Sequence, residues 1–398
     1  MSIDLGATGP VEAVPKTEEL APVTIEQEEH EAARRRAEAH ARTERFRPSR
    51  PGWAARLAVW AFVGWLVFLV PGNLLSPFTV GVADADALSR AVIFAICGLS
   101  LNVLIGYAGQ LSLGHQAFVG IGAFTSAYFV SELSQEFWLG VAVAAGFGAV
   151  QAFVLGLISL RITGLYFALV TLAYGLFAQE SLFAVTALTG GGAGKIAPRP
   201  YQFPTNYAYY YVCLAFLLVV LWLDWRLMRS KGGRALLALR ENPRVAATYG
   251  ISVKAYTLLA FVVSGIFAGI AGALFGHHDE VVVSTTFDFE LALIFVLMTV
   301  VGGLRNRVGV VIGSAFFALL GDGLLVDALR VGGLVEKINL PVEFIPLVIG
   351  PILLLLTITL HPGGIGQQVA PVREWLMGRR FDIHAGAVKE VQVTDVRA

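Results

Sequence analysis

Long apolar runs separated by short polar segments dominate the chain between residues 51 and 361. A helix needs about 20 mainly apolar residues to cross the roughly 30 Å hydrocarbon core of a bilayer. By that measure, the pattern predicts an all-α, polytopic integral membrane helix bundle of about ten transmembrane helices, with broken, glycine-rich helices among them. The predicted spans are residues 53–71, 88–107, 113–130, 137–160, 165–188, 207–224, 255–276, 287–301, 308–326 and 343–360.

Basic side chains are distributed unevenly among the loops that join these spans. Lys and Arg in short loops mark the cytoplasmic side, because basic loops resist translocation. With the N-terminus inside, the outer loops keep only Lys195, Arg199, Arg330 and Lys337. The sequence therefore predicts a cytoplasmic, disordered polar tail at 1–50, a membrane domain at 51–361 with a basic inner loop at 225–254, and a cytoplasmic C-terminal tail at 362–398.

The composition agrees with a membrane protein and excludes several other classes. Of the 398 residues, 56% are hydrophobic and 15% are charged, whereas soluble domains average about 45–50% apolar and about 25% charged. The net charge of zero argues against a nucleic-acid binder. Cys97 and Cys213 lie in apolar runs, so the sequence predicts neither a disulfide scaffold nor a structural zinc site.

Polar side chains inside the apolar pattern are candidates for a solute path. They are densest between Gly98 and Tyr128. Burying an unpaired polar group costs on the order of a few kcal/mol, so these side chains should face either neighbouring helices or a water-filled cavity, and both interpretations stay open for each residue. The candidates are Asn102, Gln110, Ser112, His115, Gln116, Thr171, Gln179 and Glu180.

Two further features of the spans suggest transport. Residues 300–318 repeat the outline of the Gly98–Tyr128 stretch, with an apolar half, a glycine-containing break and a second small-residue half. This pattern indicates a duplicated substructure of the kind common in transporters, with chance similarity as the alternative. Glu180 and Asp322 are intramembrane carboxylates, which are costly in a bilayer and would suit an ion-coupled secondary transporter.

Motifs for enzymatic or metal chemistry do not meet their requirements. The segment TGGGAGKI at 189–196 has Thr189 and Ile196 where a nucleotide-binding P-loop needs Gly and Ser or Thr. The run His277, His278, Asp279 and Glu280 is too short for all four side chains to reach one ion, and a solvated outer loop is the favoured interpretation. We expect this chain to be no enzyme and to bind no metal or other cofactor itself.

The inner loop at 225–254 is the best candidate for contact with another subunit. A short helix can place apolar residues on one face, Pro243 interrupts it, and small residues follow. Such a helix suits insertion into a groove, and an ordinary interfacial helix is the alternative. The apolar positions are Ala235, Leu236, Leu239 and Val245, and the small surface is Ala246, Ala247 and Gly250.

From about Val92 to Gly366, the sequence resembles the permease subunits of ABC importers for branched-chain amino acids (leucine, isoleucine and valine). The matching residues are LSLNVLIGYAGQLSLGHQAFVGIGAF from Leu99, LRITGLYFALVTLAYG from Leu160, LTGG from Leu188, GRALLALREN from Gly233, SGIFAGIAGALF from Ser264, the Gly302–Gly303 pair and HPGGIG from His361. Relatives usually carry small neutral residues where Arg305, Asn306 and Arg307 stand, and an apolar residue is typical at Lys195.

The resemblance implies a permease domain in the bacterial cytoplasmic membrane, with both termini cytoplasmic. It implies a second related permease subunit, two cytoplasmic ATPase subunits that bind ATP and Mg, and an extracytoplasmic solute-binding protein as partners. It assigns ATPase coupling to Arg234, Arg240, Glu241, Ala246, Ala247 and Gly250. The alternatives are the same architecture carrying urea, short amides or another small solute, an ion-coupled secondary transporter, and a non-transporting membrane scaffold.

Overall fold

The computed structural model describes residues 50–65, 67, 82–162, 164–321 and 363–376. These residues are mainly helical and include π-helical segments, two of which are labelled π1 and π2. The elements are α1 (Arg50–Gly64), α2 (Val82–Leu101), π1 (Asn102–Tyr107), α3 (His115–Ser131), α4 (Phe137–Ser159), α5 (Leu165–Phe177), π2 (Ala178–Leu182), α6 (Thr186–Thr189), β1 (Lys195–Ile196), α7 (Asn206–Arg229), α8 (Lys231–Glu241), α9 (Pro243–Thr248), α10 (Val253–Asp279), β2 (Val281–Val282), α11 (Phe289–Gly302), α12 (Arg307–Gly321) and α13 (Gly364–Leu376).

The prediction of an all-α membrane helix bundle is confirmed. Within the described residues, five helical stretches are long and apolar enough to cross a membrane: Asp84–Tyr107, Phe137–Ser159, Leu165–Leu182, Asn206–Arg229 and Val253–Asp279. Helices α11 and α12 are apolar and shorter. The predicted span at 343–360, the carboxylate Asp322 and the tail at 1–49 lie outside the described residues.

Helix α10 lies in the middle of the bundle, where it packs against α2, α3 and α4. Small residues make this close approach possible. A Cβ atom added at Gly265 would lie 2.2 Å from the carbonyl oxygen of Gly148, and one added at Gly272 would lie 1.9 Å from that of Val119. Spacing of small residues four apart, as in Gly265 and Gly269, lets membrane helices bring their backbones together.

Side-chain caps divide the segment that follows α7 into separate helices. The Ser230 hydroxyl accepts a hydrogen bond from the Gly233 amide at the start of α8, and the Asn242 side chain accepts bonds from the first amides of α9. The Ser252 hydroxyl caps α10 in the same way. Such caps satisfy amides that have no partner within the helix, so the long inner loop folds as two short helices between two spans.

The interpretation of His277–Glu280 as a solvated outer loop is wrong. Residues 277–279 form the last turn of α10, and both histidine side chains are buried. The His277 ring is hydrogen-bonded to the Ser126 hydroxyl (2.9 Å) and to the Pro198 carbonyl oxygen (2.7 Å). Local sequence spacing could not reveal these partners, because they come from distant parts of the chain.

The region predicted as a C-terminal tail begins with helix α13, which packs against α11 and α12. The Asn306 side-chain amide donates a hydrogen bond to the Gly366 carbonyl oxygen (2.8 Å). A Cβ atom added at Gly309 would lie 2.5 Å from Gly366. Residues 364–376 therefore belong to the packed bundle.

Candidate coupling surface and translocation path

Helix α8 forms the buried support of the inner loop. Ala235, Leu236 and Leu239 share one face, as the sequence pattern predicts, and in the structure this face is buried. Val245 does not join them and is 50% exposed. The backbone is extended at Asn242, which caps a new helix, so the periodicity of α8 does not continue to Val245.

Beyond that cap, the chain presents an exposed surface, here called the α9 surface: Val245, Ala247, Tyr249 and Gly250. Tyr249 is 82% exposed, and sequence reasoning missed it. The sequence signal for Tyr249 was an aromatic residue within a basic, polar loop. Ala246 is buried, so it anchors α9 and contributes nothing to this small surface. Exposed aromatic residues are enriched in protein interfaces, so the α9 surface has the character of a docking site.

The remaining coupling candidates differ in exposure. Arg234 and Glu241 are exposed, whereas Arg240 is half-buried and donates a hydrogen bond to the Gly106 carbonyl oxygen in π1. Burial and the neighbouring Arg305 lower the pKa of the Arg240 guanidinium. Glu241 pairs with Arg305 at 3.1 Å, and both side chains are exposed to solvent, where such pairs contribute little stability.

A buried carboxylate that sequence reasoning missed lies at the same end of the bundle. The Asp224 side chain has no solvent exposure and accepts hydrogen bonds from Arg307 Nε (2.6 Å) and the Tyr107 hydroxyl (3.2 Å). The sequence signal for this site was a single acidic residue at the end of an apolar span, together with an unusual arginine at position 307. This pairing gives Arg307 a structural partner.

Three path candidates occupy the break between α2 and α3. Asn102 is buried in π1, and its side-chain oxygen accepts a hydrogen bond from the Arg305 amide (2.9 Å). Ser112 is buried, and its hydroxyl has no partner among the described residues. Gln110 is half-buried. The two glycine-containing breaks recognised in the sequence thus meet at the contact between Asn102 and Arg305.

Further candidates meet where α3 begins. The Thr171 hydroxyl accepts a hydrogen bond from the Leu113 amide (3.0 Å). Gln116 is fully buried, and neither polar atom of its side chain has a partner within the described part of the chain. A Cβ atom added at Gly175 would lie 2.4 Å from the Gln116 amide nitrogen. The structure therefore brings Gln116 and Thr171 to one junction between α3 and α5.

His115 belongs to a buried network that joins three helices. Its Nε2 atom lies 2.8 Å from the Ser100 hydroxyl. Ser100 donates to the Ser264 carbonyl oxygen (2.7 Å), and Ser264 donates to the Ser100 carbonyl oxygen (2.9 Å). By contrast, Gln179 is half-buried and Glu180 is exposed on π2. These two side chains are therefore more exposed than the members of the buried network.

A second group of charges lies at the opposite end of the bundle. Arg199 contacts Glu280 (3.2 Å), Asp86 (3.6 Å) and the His278 carbonyl oxygen (2.8 Å). The His278 ring also approaches Asp86 (3.3 Å). In the described ranges, no group of three or more His, Cys, Asp or Glu side chains could hold a metal ion. This cluster ties α2 and α10 to the segment before α7.

Comparison with known proteins identifies the family of this chain. Residues 85–356 match the family described as the permease component of the branched-chain amino acid transport system. The chain is 31% identical over 302 residues to the high-affinity branched-chain amino acid transport system permease protein LivM of Escherichia coli (strain K12), covering 68% of this chain and 71% of that protein. It is 31% identical over 290 residues to LivM of Salmonella typhimurium, covering 65% and 68%.

A more distant relative carries a different name. The nucleoside ABC transporter permease protein NupC of Lactococcus lactis is 25% identical over 305 residues, covering 69% of this chain and 89% of that protein. No solved structure shows a significant match. The extent of the match and the identity to LivM show that this chain belongs to the permease-component family of branched-chain amino acid transport systems.

Proposed function

We propose that this chain, a permease subunit of an ABC importer, carries branched-chain amino acids and docks on a cytoplasmic ATPase subunit through the α9 surface. The observation that carries the docking proposal is the contrast between buried α8 and exposed α9. A packed helix can hold the docking helix in place, while Val245 and Tyr249 remain available to a partner. Exposed apolar residues of this kind are typical of interaction sites.

The proposed orientation places the α9 surface and both termini in the cytoplasm. The Arg240–Gly106 and Asp224–Arg307 contacts gather the basic inner loop and the start of α12 at one end of the bundle. Basic residues favour the cytoplasmic side. In this arrangement, ATP and Mg bind to the partner ATPases, and an extracytoplasmic binding protein delivers the solute to the opposite end.

The proposed mechanism is alternating access in a complex with a second related permease and two ATPases. ATP-driven closure of the ATPases would move the α9 surface and shift the path between outward-open and inward-open states. A ligand shifts such an equilibrium only through its different affinities for the two states. The buried polar residues Ser112, His115, Gln116 and Thr171 would line or support the path.

The docking proposal is tested with Gly250→Trp and a matched control, Gly164→Trp. Both glycines have positive φ angles, +78° and +66°, and neither has atoms within 4 Å of an added Cβ. Both variants therefore place a non-glycine residue at positive φ, and the ψ angle of −137° at Gly164 adds to the strain of the control. We expect Gly250→Trp to reduce ATPase co-purification and uptake at least fivefold, with normal membrane insertion, while Gly164→Trp retains both. Normal ATPase binding and uptake by Gly250→Trp would contradict the docking proposal.

The solute is tested by uptake into vesicles that contain the whole complex. We expect leucine, isoleucine and valine to compete with one another, because the relatives with the highest identity among those described above are named for branched-chain amino acid transport. The name of the nucleoside permease makes nucleosides a second candidate, and urea or short amides are a third. Uptake of nucleoside or urea without uptake of leucine would refute the proposed substrate and leave the docking proposal untouched.

A further inference from the structure

The π-helical segment π1 (Asn102–Tyr107) occupies a position between the proposed docking loop and the path candidates. All six of its residues are buried. It continues α2 and leads directly into residues 108–114, the irregular connection that ends at α3. Because π1 ends the helix, its last carbonyl oxygens lack partners in a following turn and can accept hydrogen bonds from side chains.

Arg240, in the last turn of α8, makes the first contact with π1. Its guanidinium donates a hydrogen bond to the Gly106 carbonyl oxygen. Its aliphatic stem packs against Gly109, where an added Cβ atom would lie 3.1 Å from Arg240 Cγ. One side chain from the inner loop therefore holds both the end of π1 and the residue where the chain turns towards Gln110.

Glu241, the next residue, reaches π1 through Arg305. Arg305 Nη1 donates to the Glu241 carboxylate (3.1 Å), and the Arg305 amide donates to the Asn102 side-chain oxygen (2.9 Å). Arg305 has a φ angle of +71°, a conformation that L-residues seldom adopt and that surrounding contacts must maintain. Gly106 leaves room for this junction, since its added Cβ would lie 2.1 Å from Asn102 Oδ1.

Two adjacent residues at the end of α8 thus contact the two ends of π1. Arg240 bonds to Gly106 directly, and Glu241 reaches Asn102 through Arg305. We infer that π1 receives the movement of the docking helix and passes it to the polar residues between α2 and α3, with Arg240 as the main positioning residue. This inference rests on the proposed docking of α9. It adds to that proposal a specific element that converts movement of the docking helix into movement at the path.

The two contacts should differ in importance. The Arg240–Gly106 hydrogen bond is partly buried, whereas the Glu241–Arg305 pair has side chains 68% and 44% exposed. Water and salt weaken an exposed ion pair, and long side chains lose entropy in forming it. Loss of Arg240 should therefore impair transmission more than loss of the Glu241 charge.

The test compares Arg240→Ala, Arg240→Lys and Glu241→Gln in the complete transporter, reconstituted with its ATPases and binding protein. Lys231→Ala is the matched control, because Lys231 is an exposed basic residue on the same helix. Solute taken up per ATP hydrolysed is measured beside the amount of ATPase bound. Hydrogen exchange of peptides within residues 102–114 reports on π1.

We expect Arg240→Ala to bind normal amounts of ATPase and to hydrolyse ATP, but to import at least fivefold less solute per ATP. Exchange within residues 102–114 should become faster. Arg240→Lys retains the charge and one donor group, so its loss should be smaller, and Glu241→Gln should lose less than twofold. Lys231→Ala should match the wild type in all three measurements.

Three results would overturn the inference. The first is unchanged solute uptake per ATP in Arg240→Ala. The second is loss of bound ATPase in Arg240→Ala, which would make Arg240 a docking residue. The third is wild-type hydrogen exchange of residues 102–114 in that variant. If Arg240→Ala does not accumulate in the membrane, Arg240→Lys decides by the same measurements. Failure of docking itself is recognised separately, by wild-type ATPase binding in Gly250→Trp.

Discussion

The buried pair between Asp224 and Arg307 allows a quantitative test of the packing at the end of the bundle beside the 225–254 loop. We consider the variants Arg307→Leu and Asp224→Asn, and the double variant that combines them. The Asp224 side chain has no exposure, whereas 28% of the Arg307 side chain reaches solvent. Because the two charges differ in burial, removing one partner should not have the same effect as removing the other.

Removing one member of a buried ion pair destabilises a protein by about 3–5 kcal/mol. Arg307→Leu should fall in this range, because it leaves the Asp224 carboxylate buried with the Tyr107 hydroxyl as its one remaining donor among the described residues. Asp224→Asn keeps a hydrogen-bond acceptor opposite a partly solvated guanidinium, so its cost should be about 1–3 kcal/mol. The double variant leaves no unpaired charge, and the two single losses should exceed its loss by about 2 kcal/mol.

The assay is unfolding of the purified protein by SDS in mixed micelles, followed by far-ultraviolet circular dichroism. Arg226→Leu is the control, because Arg226 is exposed on the same helix as Asp224 and stacks on Trp222. That contact is worth about 0.5–1 kcal/mol at an exposed site. A cost of Arg307→Leu no larger than that of Arg226→Leu, or strictly additive losses in the double variant, would refute the reasoning.

Two smaller changes test the packing elsewhere. Gly265→Ala should destabilise the bundle by about 1–3 kcal/mol through overpacking, because the new Cβ would meet a carbonyl oxygen at 2.2 Å. Gly146→Ala on α4 has open space around it and should cause no loss; equal SDS midpoints for the two variants would contradict this. Glu132→Gln removes the charge opposite Lys195, whose side chain is only 10% exposed although that of Glu132 is 57% exposed; the amide keeps an acceptor for the ammonium, so thermal unfolding should report a loss of about 1–3 kcal/mol. A larger loss would show that the pair is better shielded from water.

Most of the helical architecture could be predicted from the sequence. The lengths and polarity of the apolar runs predicted α3, α4, α7, α10 and α11 to within a few residues. This succeeds because membrane helices satisfy their backbone hydrogen bonds internally, so each span depends mainly on its own residues. The shared apolar face of α8 was also predicted, because residues three and four apart lie on the same side of a helix, but its burial within the bundle was not.

The candidate sites were predicted less completely. Sequence reasoning found the polar stretch between Gly98 and Tyr128, but it missed Asp224 and Tyr249. It also placed Val245 on one helical face with Ala235, Leu236 and Leu239, although the cap at Asn242 starts a new helix. Each of these outcomes depends on how a helix is oriented against a neighbour or on a cap that breaks a periodic pattern, and composition does not reveal either.

By itself, the sequence determined that this chain is a helical membrane protein with a long basic loop at 225–254, because hydrophobicity and charge act over short stretches of chain. Only the tertiary structure decided which distant groups meet. Asp224 pairs with Arg307, 83 positions later, and Arg240 reaches Gly106, 134 positions earlier. Such contacts arise when helices pack, because burying a polar group without a hydrogen-bond partner costs free energy, and the neighbouring segment supplies that partner.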